Sequence, residues 1–329
     1  MAEVTTAMIA KLREMTNAGM MDCKKALVET QGNLDAAVDL LRKRGVATAA
    51  HKSARDAREG AIAQCLLPGA RAGVIVEVNC ETDFVAKNEM FRAFADQVAR
   101  TLLEQPGADL EAMRTDAVSR IRENIKIARH QRFEVQGNGL IAAYIHTGAK
   151  VGVLVEVGAG QEATVAHPDF KQLVKDITLQ IAAASPLAVT RGELDPAAIA
   201  RERDVVANSD LMKNKPPQAL AKIIEGRLEK YFQTVCLLDQ GFVKRNSEIT
   251  VRDHLSGVAK QLGDEITVRR FVRFQVGEAL AAWSRKCPGP GGRSPARPPR
   301  AGSRRSRDGG PTPAGRGFSR ATTDHGEAG

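Results

Sequence analysis

The 329-residue chain is short of the residues that reaction chemistry needs in groups. Its five cysteines, Cys23, Cys65, Cys80, Cys236 and Cys287, are odd in number, widely spaced and without a CxxC pair. That pattern excludes a disulfide framework and a cysteine-based zinc site, and it points to a reducing compartment. The six histidines show no HxxxH or HExxH spacing, so a histidine metal site is not expected either. No GxxxxGK[ST] or GxGxxG follows an apolar strand, which removes the usual phosphate-cradling loops. The sequence therefore predicts no catalytic residue, no metal and no cofactor. Apolar runs of membrane-spanning length are missing, and the N-terminus MAEVTTAMIAKLREM is amphipathic, with Glu3 and Glu14 where a secretion signal would be apolar. The expectation is a cytoplasmic protein with no membrane partner. Aromatics are also scarce, at ten Phe, two Tyr and one Trp, so a large ring in an unusual place carries information.

The net charge of +9 is present but unevenly spread. From Arg285 onward there are nine Arg and one Lys against two Asp and one Glu, which leaves only +2 for the preceding 284 residues. The basic balance thus belongs to residues 284–329, which also hold seven of the fourteen prolines and almost no aliphatic side chains. Such a segment cannot offset its ordering entropy by burial, so a disordered tail is expected. It reads either as a solvated appendage or as an arginine-rich RNA contact, and no nucleic acid is required for the folded part.

Residues 1–50 carry three helical patterns. Ile9, Leu12 and Met15 recur at helical spacing, TNAGM interrupts them, and a short helix opened by Asp22 holds Ala26 and Leu27. A third helix starts after Gly32 with Asn33 as N-cap, and presents Leu34, Ala37, Val38 and Leu41 on one face up to Gly45. A bundle this small buries little, so Met20 and Met21 beside the Ala18-Gly19 loop read either as partner contacts or as core filler. The polar stretch after Ala47, with residues 51–59 at its centre, reads as a linker.

Beyond it lies a duplication. GARAGVIVEV at 69–78 and GAKVGVLVEV at 148–157 share seven of ten residues at an offset of 79, and the offset also pairs Gly60 with Gly139, Phe91 with Phe170 and Val98 with Ile177. Each copy, 60–137 and 138–283, is predicted to contain a strand, a Gly turn, a second strand and a helix across them. The copies differ at one connection. The first has CETDFVAKNEMF at 80–91, with Asp83, Phe84 and Lys87, while the second sets Glu162 opposite Asp83 and Ala163 opposite Phe84. Asp83 as a helix N-cap with Phe84 stapled into the core is one reading. The other is an exposed wedge, in which the ring enters a partner's apolar slot while the carboxylate meets polar groups. The sister copy makes the same turn with neither residue, which favours the wedge. Cys80, among Glu81 and Asp83, is expected to have a raised thiol pKa and to be a poor nucleophile.

These residues resemble bacterial elongation factor Ts. TDFVAKN at 82–88 is similar to that family's signature, and the resemblance extends to TNAGMMDCKKAL at 16–27, VNCETDFVAKN at 78–88, ENI at 123–125, HTGAKVGVLVEV from His146, NKPPQALAKIIEGRLEKYF at 214–232 and FVRFQVGEAL at 271–280. The resemblance implies an α+β fold with an N-terminal three-helix UBA-like bundle, a duplicated core of antiparallel sheets and helices, and a helical hairpin inserted at about 195–232. It implies a guanine-nucleotide exchange factor for the GTPase elongation factor Tu, acting by binding and not as an enzyme. Phe84 would then intrude near the partner's Mg²⁺ and phosphate site, Asp83 would disturb the groups that order the metal, and Thr82, Val85, Ala86, Lys87 and Asn88 would complete the motif. Arg13, Met20 and Met21 would dock on the same GTPase domain and His146 on another domain, with a homodimer possible through the hairpin. The chain departs from the family at Asn214 and Gly241, where GKP and QPF are commoner, and after VGEAL at 276–280. There it continues as AAWSRKCPGPGG, so the C-terminal helix contact of longer members is not carried over.

Overall fold

The computed structural model describes residues 4–16, 18–208 and 216–278. The basic tail and most of the KNKPP break lie outside the described residues. Three helices come first: α1 (Thr6–Thr16), α2 (Met20–Glu29) and α3 (Leu34–Lys52). Leu12, Cys23, Ala26, Leu27 and Ala37 are fully buried between them, and Ile9 nearly so. Asn33 caps α3, its Oδ1 accepting from the Ala36 N–H at 3.0 Å.

The third helix does not end at Gly45. It continues to Lys52, because ATAAHK is rich in a strong helix former and because a second surface waits for it. Ala49 is 1% exposed and joins the core of the first repeat, where α3 packs on a later helix. The polar composition after Ala47 describes the outer face of this helical extension.

The first repeat contains β1 (Glu59–Leu66), β2 (Ala72–Cys80), the short α4 (Asp83–Lys87), α5 (Glu89–Glu104), α6 (Glu111–Ile121) and β3 (Lys126–Glu134). The second contains β4 (Gly139–Ile145), β5 (Val151–Ala159), α7 (Glu162–Ala166), α8 (Pro168–Ala184), α9 (Pro196–Ala207), α10 (Pro217–Val235), α11 (Val251–Leu262) and β6 (Ile266–Gln275). Each sheet is antiparallel and three-stranded, in the orders β1-β2-β3 and β4-β5-β6. The third strands were not expected from the duplication, which reaches only as far as the crossing helix.

Alternation along the central strands assigns their faces. Val74, Val76 and Val78 of β2 meet Phe91, Phe94, Val98 and Leu102 of α5, and Val153, Val155 and Val157 of β5 meet Phe170, Leu173, Ile177 and Ile181 of α8. The intervening Ile75 and Leu154 point the other way, into a cluster with Ile62, Phe133, Ile141, Val272 and Phe274 drawn from both sheets. The two sheets therefore pack face to face, with their helices outside. Close approach requires glycine there: a Cβ on Gly152 would lie 2.6 Å from Ile62 Cγ2, and one on the equivalent Gly73 would lie 3.0 Å from Ile141 Cγ2.

Two buried glutamates lie on the same inter-sheet face. Glu77 pairs with Arg129 of β3 at 2.7 Å and accepts the Gly277 N–H at 3.0 Å, just past β6. Its repeat partner Glu156 pairs with Arg270 at 2.7 Å and accepts the Gln136 N–H at 3.1 Å, just past β3. Each sheet's glutamate thus fixes the chain as it leaves the other sheet. The inserted helices α9 and α10 pack together above Leu194, Ile199, Tyr231 and Phe232, and Arg191 ties their base by ion pairs to Glu229 and Asp239.

Candidate functional site

β2 ends at Cys80, whose side chain is completely buried, and the next residues turn the chain outward. Thr82, and not Asp83, is the N-cap of α4, its Oγ1 accepting from the Val85 N–H at 3.3 Å. Asp83 occupies the first helical position, where a carboxylate suits the helix N-terminus. The Lys87 ammonium, one turn on, donates to it at 2.7 Å, and that hydrogen bond holds the Asp83 carboxyl below the usual carboxylate range. Ala86 is buried and Val85 half-buried against the first repeat's core, so the short helix is seated by its far face. Asn88 ends α4 by donating its N–H to the Val85 carbonyl at 2.9 Å, and its side chain caps α5 by accepting from Met90 N–H at 2.8 Å. Phe84 is left 81% exposed. The staple reading is therefore incorrect: Val85 and Ala86 take the inward positions, and Phe84 faces solvent.

The second copy makes the same turn in the same backbone. The entering cap residues Thr82 and Gln161 have φ/ψ of −122°/154° and −119°/144°, and the shared residues Asn88 and His167 have −69°/136° and −65°/137°. In that copy the exposed positions are Glu162 and Ala163, and Gln161 makes no side-chain cap. Nothing in the backbone thus requires an aromatic or an aspartate at 83 and 84.

A brace that the motif did not reveal holds the first connection. The Glu123 carboxylate accepts from the Glu81 and Thr82 N–H groups, both at 3.0 Å, and from the Thr82 hydroxyl at 2.7 Å. Glu81 in return accepts the Asn124 N–H at 2.6 Å, and the Asn124 side chain donates to the Arg55 carbonyl at 2.7 Å. The signal was ENI at 123–125, a short polar pair before a fully buried Ile125, legible as a motif but not as a contact.

The remaining residues named from the sequence lie on two other surfaces. Met20 and Met21 are 57% and 61% exposed on the first turn of α2, which begins two residues before Asp22, and Arg13 is exposed on the last turn of α1. Core filler is thus ruled out for both methionines. His146 is exposed in the turn between β4 and β5, and its Nδ1 lies 3.0 Å from the Tyr144 hydroxyl. Cys80 does have a raised pKa, pushed up to about 12, but the first cause is burial and the second is the charge of Glu123, in place of Glu81 and Asp83. Among the described residues no group of three or more His, Cys, Asp or Glu is arranged to hold a metal ion, and no helix is long and apolar enough to cross a membrane.

An exposed ring and carboxylate on a capped, braced turn define a surface built for contact with another macromolecule. The family model described as elongation factor TS matches residues 81–278, the span from this turn to the end of β6. The chain is 44% identical over 287 residues to an elongation factor Ts from Symbiobacterium thermophilum, which covers 85% of this chain and 94% of that protein. It is 39% identical to the elongation factors Ts of Lawsonia intracellularis and Nostoc punctiforme, with 84% and 85% of this chain covered and 99% and 94% of theirs. The chain belongs to the elongation factor Ts family, and its place is in the elongation stage of protein biosynthesis.

Proposed function

We propose that this chain is the guanine-nucleotide exchange factor of elongation factor Tu, and that it acts through binding alone. The observation that carries the reading is Phe84, exposed on a turn whose sister in the same chain has alanine and folds identically. An exposed aromatic ring loses hydrophobic free energy in the free protein and recovers it only when covered, so its retention on a rigid turn fits a role in a complex.

The mechanism follows from linkage. A protein that binds the nucleotide-free GTPase more tightly than the GDP-loaded one must, by reciprocity, lower the affinity for GDP by the same factor. Phe84 would supply the apolar insertion and Asp83 a negative charge beside the partner's Mg²⁺ and phosphate region, where added negative charge weakens the metal's hold on phosphate. Lys87 keeps Asp83 ionised and oriented in the free protein. Arg13, Met20 and Met21 would dock on the same GTPase domain; flexible methionines adapt to an irregular apolar surface. His146 and Tyr144 mark a second face, suited to a different domain of the partner.

The test is release of a fluorescent GDP analogue from elongation factor Tu followed by stopped flow. Phe84→Ala is expected to leave thermal unfolding unchanged and to slow release by roughly tenfold or more. Unaltered release by this variant would remove the wedge from the mechanism.

A further inference from the structure

Adjacent residues in the loop between α6 and β3 grip the two surfaces that face the partner. Arg122 ends α6 in the left-handed conformation, φ 66°, uncommon for a residue with a side chain. Its guanidinium forms an ion pair with Asp22, and it packs so closely on Gly19 that a Cβ there would overlap it. Gly19 and Asp22 flank Met20 and Met21. The Arg122 carbonyl also accepts from the Lys52 ammonium at the end of α3. The next residue, Glu123, is turned to the opposite side and takes the Glu81 and Thr82 N–H groups and the Thr82 hydroxyl, immediately before Asp83 and Phe84. Asn124 then ties the same connection to the segment after α3 through Glu81 and the Arg55 carbonyl.

The second copy shows which part of this is architectural. There Asp264, also just ahead of its third strand, accepts the Gln161 N–H at 2.9 Å. A carboxylate bracing the strand-to-helix connection therefore belongs to the duplicated unit. The first copy alone has the longer glutamate with a bond to the cap hydroxyl, and it alone has a neighbouring arginine that reaches another bundle of helices. Bonds to an ionised acceptor are about twice as strong as neutral ones, so three on one carboxylate stiffen the turn. The Arg122–Asp22 pair is about half exposed on each side, so it contributes little by itself and acts through its fixed position between the methionines and the turn.

We infer that Arg122 and Glu123 form a positioning bracket that sets the methionine pair and the Phe84 turn at a fixed separation, so that binding at one delivers the other in register. Glu123 is a positioning residue for Phe84 and touches no partner itself. This rests on the exchange reading for its kinetic consequence, though not for its structural one. A rigid two-point surface avoids the ordering entropy that a loose turn would lose on contact, which raises the efficiency of insertion more than the affinity of docking.

The experiment uses the full chain with Glu123→Ala, Glu123→Gln, Arg122→Ala and, as reference, Phe84→Ala. GDP release from elongation factor Tu is measured across factor concentrations, separating the maximal rate from the half-saturating concentration, and amide hydrogen exchange is recorded in the free proteins. Glu123→Ala is expected to lower Thr82 amide protection and the maximal rate each by about tenfold, the loss expected for bonds to a charged acceptor, with half-saturation moved less than about threefold. Glu123→Gln, which keeps an oxygen for the two N–H groups, is expected to restore most of both. Arg122→Ala is expected instead to raise the half-saturating concentration. The bracket is overturned if Glu123→Ala keeps the wild-type maximal rate while Phe84→Ala slows release, or if Thr82 protection is unchanged. If Phe84→Ala itself has no effect, the wedge reading fails and the amide protection alone decides the bracket. Should Glu123→Ala not fold, Thr82→Val removes the hydroxyl end of the same contact and is judged by the same protection and rate.

Discussion

Phe84 and Cys80 are four residues apart and occupy opposite environments, one ring in solvent and one thiol in the core. The contrast makes the thiol a reporter of the fold. Its folded pKa stands at about 12 against an ordinary 9.0, so the native state favours the neutral form more than the unfolded chain does. The stability this gives is complete below pH 9 and is lost as pH rises from 9 toward 12, at no more than about 1.4 kcal/mol per pH unit. Melting temperatures measured from pH 8 to 11 are expected to fall more steeply for the wild type than for Cys80→Ala. Cys236, pushed up to about 11 chiefly by burial, leaves a residual slope in that variant. The direction of the Cys80 shift was legible from its acidic neighbours; its cause was not, because burial and the approach of Glu123 both come from chain distant in sequence.

At the scale of elements, α3 shows how a correct local rule can give an incorrect boundary. Glycine at Gly45 followed by a polar stretch is a normal helix stop. Here Gly45 lies within the helix, with its nearest neighbour Ser119 of α6 at 3.5 Å from a built Cβ, an ordinary contact distance. Gly45→Ala is therefore expected to stabilise the protein by about 0.5–1 kcal/mol, since it removes the glycine penalty without a clash. Urea unfolding curves with an unchanged slope and a raised midpoint would bear this out; a lowered midpoint would mean that α3 and α6 sit closer than described. The short helices α4 and α7 teach the complement. Their shared geometry was legible from the duplication, and the comparison of Phe84 with Ala163 correctly separated a contact residue from a structural one.

For the whole molecule, the inter-sheet glutamates govern how the two repeats meet. Glu77 and Glu156 are 2% and 1% exposed, and each is matched by arginine and by a backbone N–H from beyond the opposite sheet. Removing one partner of a buried pair leaves the other charge without compensation. Glu156→Ala is expected to cost about 3–5 kcal/mol, and Glu77→Ala a similar amount with added loosening of the chain beyond Gln275. Chemical denaturation read by circular dichroism tests the first figure. Hydrogen exchange at Gly277 tests the second, with unchanged protection there contradicting the staple.

By itself the sequence determined the α+β class, the helix-forming N-terminal segment, the duplicated strand pairs with their crossing helices, and the odd connection at Asp83 and Phe84. These are local patterns or direct repetitions, written in periodicity and spacing. Only the tertiary structure decided the rest. β3 and β6 read as charged segments because their pairing partners supply the order: β6 begins at Ile266, while the strand it joins ends at Ala159. The face-to-face sheets, the reciprocal glutamates and the adjoining grips of Arg122 and Glu123 all depend on groups brought together across long loops. A single side chain's type states what it can bond; which partner it finds is set by where the packed core places it.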